Sequence, residues 1–179
     1  MRPRFAAASL TLLALLLAGC DQGKTRNLPP DPFATPPPPM GPVAPPTEGL
    51  SAGLAKRAEP PGVFLDHIGT AVDPANRPPA VTAAGAPMVL DGFGFDPVAK
   101  LPAKGVDVVI DGKAYGTAYG HPRPDVAVYF KTPALAATGF RTTLPAGAVA
   151  AGAHTVLVRV VAADGKGYFE SQPVAFTVK

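Results

Sequence analysis

A single cysteine in 179 residues excludes an intrachain disulfide and any cysteine-rich zinc site. Tryptophan is absent, which removes the strongest surface for stacking on sugar rings. The three histidines, His67, His121 and His154, stand far apart, without the close spacing of zinc ligands. Charged residues make up only 16% of the chain and the basic ones form no run, so no nucleic-acid partner is expected. The serines are Ser9, Ser51 and Ser171, none in a G-x-S-x-G turn. Nucleophilic catalysis is poorly supplied, and the chain reads as a non-enzyme with no cofactor. No apolar run reaches the roughly 20 residues of a spanning helix.

Proline (24 residues) and glycine (19) are abundant, yet 47% of the chain is apolar. The two facts fit a chain split into a non-globular part and a packed part. Arg2 and Arg4 precede an uncharged Ala/Leu-rich stretch over 5–19, the pattern of a secretory signal. That stretch ends in Leu17-Ala18-Gly19-Cys20, which resembles the lipobox of bacterial lipoproteins. The resemblance implies cleavage before Cys20, acylation of its thiol and stable membrane anchoring. It places the protein in the bacterial cell envelope, with the choice of inner or outer membrane open. Loss of Arg2 and Arg4 would bring the formal charge from +3 to near neutral.

From Asp21 to Pro61 there are twelve prolines and one aromatic, Phe33. Such a segment lacks the apolar surface to offset its ordering entropy and reads as a disordered tether, residues 20–61. A proline-free patch over 48–59 has the composition of a short helix. From Gly62 the pattern changes to strands and turns. Val106, Val108 and Ile110 alternate with Asp107 and Val109, and Asp111-Gly112 is a hairpin signal into a return strand over 113–119. Thr155–Val161 is a strand that Asp164-Gly165 turns into Tyr168–Val178, with Pro173 at a bulge or edge. Strands over 63–68, 87–95 and 140–144 complete about seven. The expected fold of 62–179 is an all-β, immunoglobulin-like antiparallel sandwich. Pro124–Phe130 is the exception, a single helical turn opened by proline.

The ordered series Gly92-Phe93-Gly94-Phe95-Asp96, Val106 to Gly112, Tyr119-Gly120-His121-Pro122-Arg123-Pro124-Asp125-Val126-Ala127, Gly139-Phe140 and Gly152-Ala153-His154 resembles an immunoglobulin-like module. That module recurs in bacterial envelope and surface proteins. Phe93 stands where tryptophan is usual there and Thr138 where serine is usual. Arg123, Asp125 and His154 are read as structural: Asp125 as the helix cap, Arg123 as the partner of a carbonyl or carboxylate, His154 as a strand-edge residue on a backbone carbonyl. The function expected is a non-catalytic envelope lipoprotein that presents the domain for protein interaction or scaffolding. The alternative is glycan binding through Tyr115, Tyr119, Tyr129 and Tyr168, which requires those rings to share one exposed face.

Overall fold

The structure is a computed structural model that describes residues 48–179. The signal, Cys20 and most of the proline-rich tether lie outside the described residues. The elements are β1 (Ala55–Lys56), β2 (Gly62–Ile68), β3 (Ala71–Val72), β4 (Ala80–Thr82), β5 (Met88–Asp96), β6 (Leu101–Pro102), β7 (Gly105–Ile110), β8 (Lys113–Gly116), β9 (Ala118–His121), α1 (Pro124–Tyr129), a 3-10 turn (Pro133–Ala137), β10 (Gly139–Leu144), β11 (Gly152–Val161), β12 (Gly167–Glu170) and β13 (Val174–Val178).

They form two sheets. In the first, β11 is central, with β7 and then β8 on one side and β12 and β13 end to end on the other. β1 and β4 pair parallel with β12 and β13. In the second, β5 is flanked by β2 and β10, with β3 beyond β2 and β9 beyond β10. The expected all-β sandwich is what forms, with short edge strands added to the seven expected. Period-two alternation turns Val106, Val108, Ile110, Val156, Val158 and Val160 inward against Leu65, Ile68, Leu90, Phe140 and Leu144. These branched and aromatic side chains supply the core that no disulfide supports.

The Asp111-Gly112 hairpin forms as expected, with both residues at positive φ (47° and 84°). Its return strand does not run to Tyr119. The chain leaves the first sheet after Gly116 and joins β10 of the second from Ala118. Thr117 Oγ1 donates to the Val106 carbonyl at the crossing (2.8 Å). Pro173 falls where the pairing of β11 shifts by one residue between β12 and β13, the bulge expected of it. There Ser171 replaces a ladder partner, its Oγ accepting from the Val158 amide at 2.9 Å.

Residues 48–61 differ from their expected place in the tether, and no helix forms there. Residues 48–54 cross the outer face of the first sheet and lead into β1, which pairs with β12. The cause is Asp107. Its buried carboxylate faces away from the core and accepts the Leu50 and Ser51 amides (2.9 and 2.6 Å). A buried carboxylate without donors is costly, so the segment that supplies them is held.

Candidate functional site

Arg123 organises the outer face of the second sheet. A bulge in β2 leaves Asp66 as an extra residue opposite β5 and re-aims its side chain. Arg123 Nη1 donates to Asp66 Oδ2 at 2.6 Å, while Nε and Nη2 donate to Asp125 at 3.0 and 2.8 Å. The guanidinium lies over the Phe93 ring, 5.1 Å from its centroid. Asp125 is therefore a partner of Arg123 and not the helix cap expected of it: α1 has no side-chain cap bond. The Arg123 hydrogen bonds hold the Asp125 carboxyl below its ordinary value. Burial pushes the Asp66 carboxyl up, against the pull of Arg123. Arg123 itself is raised, by Asp125 first, with Asp66 adding to it.

Phe93 links this cluster to a chain of rings. Phe64, Phe93 and Phe95 stack in succession, and Phe130 meets Phe95 edge-on at 4.9 Å. Phe95, Val126 and Leu135 form a second small core beneath α1. The helical turn is thus bolted to the sheet by an ion-pair fork on one side and aromatic packing on the other. Beyond the bolt, Val128 and Tyr129 are 77% and 80% exposed, and Phe130 is exposed as well.

The remaining polar groups close on one another. His67 Nδ1 meets Asp91 at 2.6 Å, with Arg141 at 4.0 Å from the other Asp91 oxygen. No hydroxyl or thiol hydrogen-bonds to His67 among the described residues. His154 lies inside β11, which starts at Gly152, three residues before the expected Thr155, and its ring is held twice. Nδ1 meets Asp111 Oδ2 at 2.6 Å and Nε2 the Ala150 carbonyl at 2.9 Å. The Asp111 hydrogen bond raises His154, and the His154 bond lowers Asp111. Asp96 is buried and accepts three backbone amides, those of Val98, Ala99 and Ala163.

The four tyrosines do not share one exposed face. Tyr115 is buried beside Lys113. Tyr119 donates its hydroxyl to Gly94 and accepts from the Ala103 amide, and burial pushes it up to about 12. Tyr168 lies under Arg159, and Tyr129 alone is open.

Comparison with protein families, characterised proteins and solved structures finds no match to this chain. The site rests on its own geometry. Sequence reasoning singled out Arg123 and Asp125 but missed Asp66, whose role depends on a bulge that leaves no mark in composition. It also missed the Phe93–Phe95–Phe130 stack. The Gly-Phe-Gly-Phe alternation of 92–95 was the available signal, since two rings one pleat apart must emerge on one face.

Proposed function

We propose that the protein is a non-catalytic lipoprotein of the bacterial cell envelope, anchored through acylated Cys20, that presents an immunoglobulin-like sandwich for contact with another envelope protein. The anchor reading is supported by the lipobox-like Leu17-Ala18-Gly19-Cys20 after an apolar signal. The contact reading is carried by one observation. His67, His154, Asp66, Asp91 and Asp111 are engaged in structural pairs, and they sit on a rigid two-sheet mount. A mount of that kind offers a shaped surface and not a reactive group. Crosslinking in the native envelope, with photoreactive residues scanned over the sheet faces and the ends of the sandwich, tests this. Protein adducts from a contiguous set of positions are expected, and none from any position would overturn it. Cys20→Ser tests the anchor: unprocessed or soluble protein is expected, and persistence in membranes through high salt and mild alkali would refute it.

A further inference from the structure

Six of the large apolar side chains left exposed gather at one end of the sandwich: Leu50, Val98, Leu101, Val128, Tyr129 and Phe130. The connections are direct. Phe130 packs on Phe95, Phe95 pairs with Pro102, and Val98 and Leu101 line one recess with Asp164. Leu50 lies over Gly105 at the start of β7. The other exposed large apolar side chain among the described residues, Val72, is in β3 at the opposite end of β2.

The same end holds four of the six lysines that form no ion pair among the described residues. Lys56 pairs with Glu170, Lys113 sits over Tyr115, and Lys179 ends the chain. Lys100, Lys104, Lys131 and Lys166 hold no carboxylate in an ion pair among the described residues, and all four belong to the loops of this end. Lys100 precedes Leu101, Lys131 follows Phe130, and Lys104 lies beside Gly165, next to Lys166. Of the carboxylates nearby, Asp96 is held by three amides, Asp125 by Arg123 and Asp164 by Arg57, and Glu59 stands exposed near Arg57. Lys100 and Lys131 also adopt left-handed backbone, φ 53° and 52°. Asp73 and Asp111, the other non-glycine residues there, are of a type that tolerates it, but lysine is not. Two turns that would favour glycine carry lysine, each adjoining an exposed apolar side chain.

We infer that this end of the sandwich docks on an anionic lipid surface, with Val128, Tyr129 and Phe130 entering the interface and the four lysines meeting headgroup phosphates. Exposed aliphatic and aromatic tips within a cationic rim match the two layers of such a surface, apolar beneath and negative above. The inference rests on the anchored reading only for its setting. The vesicle test omits the anchor, so its failure is separate from failure of Cys20→Ser.

The chain over 21–179, which contains every described residue, is sedimented with vesicles of phosphatidylcholine alone and with phosphatidylglycerol added. Binding to the anionic vesicles only, weakened by salt, is expected. Each lysine at the surface is worth about fivefold in binding, so Lys100→Glu with Lys131→Glu should lose well over tenfold. Lys113→Glu should lose little. Lys131→Gly should bind more weakly while melting no lower, which separates contact from folding. Because the chain lacks tryptophan, Tyr129→Trp places a single reporter at the tip. Its emission should shift to the blue on anionic vesicles, and that of Val72→Trp should not. No anionic binding, binding indifferent to the lysines, or binding without the shift at position 129 would each overturn the inference. So would a photoreactive group at 129 that labels protein and no lipid in the native envelope.

Discussion

Arg123 serves two carboxylates of unequal exposure. Asp66 is largely covered, whereas the Asp125 side chain is 62% exposed. An exposed pair contributes about 0.2–1 kcal/mol, so Asp125→Ala should lower the melting temperature only slightly. Arg123→Ala strips the covered Asp66 of its partner and uncovers Phe93. The expected cost is about 2 kcal/mol, a fall on the order of 5–10 °C by calorimetry. Equal effects of the two substitutions would mean that Asp66 gains nothing from Arg123. A second residue-scale prediction concerns pH. His154 is raised in the fold, so its contribution is complete below the ordinary histidine value and fades as pH rises through the raised one. Asp111 is lowered, so its share is complete above the ordinary aspartate value and fades as pH falls through the lowered one. The pair contributes most where both are charged. His154→Gln should therefore flatten the loss of stability above about pH 6.5, measured as melting temperature against pH. A wild-type profile already flat there would refute the coupling.

At the scale of elements, β7 is buried on both faces because the 48–51 segment covers its outer side. Asp107→Ala leaves the Leu50 and Ser51 amides without their acceptor. A cost of about 1–3 kcal/mol is expected, together with faster hydrogen exchange of those two amides. Unchanged exchange would show that the segment is held by other contacts. The same docking fixes where proteolysis stops. Limited digestion should leave a fragment that begins before Leu50, read by N-terminal sequencing. A stable fragment beginning near Gly62 would mean that the segment detaches. The β5 strand has its own constraint at Gly92. A Cβ there would run into the Phe64 carbonyl of β2 and the Phe140 ring of the core. Gly92→Ala should thus separate β2 from β5, and with it the bulge that aims Asp66.

For the whole molecule, the core is a two-layer packing without covalent support. Cys20 is the only cysteine and lies outside the described residues. The melting temperature should be indifferent to reducing agent at protein concentrations too low for pairing between chains. A fall on reduction would require a crosslink between molecules. Much of this architecture was legible beforehand. Val106–Ile110 and Thr155–Val161 declare strands by alternation, and Asp111-Gly112 declares its turn by the residues that tolerate positive φ. The switch of sheet at Thr117 was not legible, because 113–119 reads as one return strand after the Asp111-Gly112 turn. Only the need of Tyr119 to reach Gly94 and Ala103 divides it.

The sequence by itself determined the principal strands, the hairpins and the proline-opened helical turn. These follow from local rules: side-chain period, ring constraint, and the φ preferences of Asp-Gly. Tertiary structure alone decided the candidate site. Asp66 and Arg123, 57 residues apart in the chain, meet because a bulge in β2 re-aims Asp66, and Asp125 closes on the same guanidinium. The exposed apolar end meets its lysines through loops from four separate stretches of chain. Proximity between distant segments is set by which faces must be buried, and that depends on every strand at once.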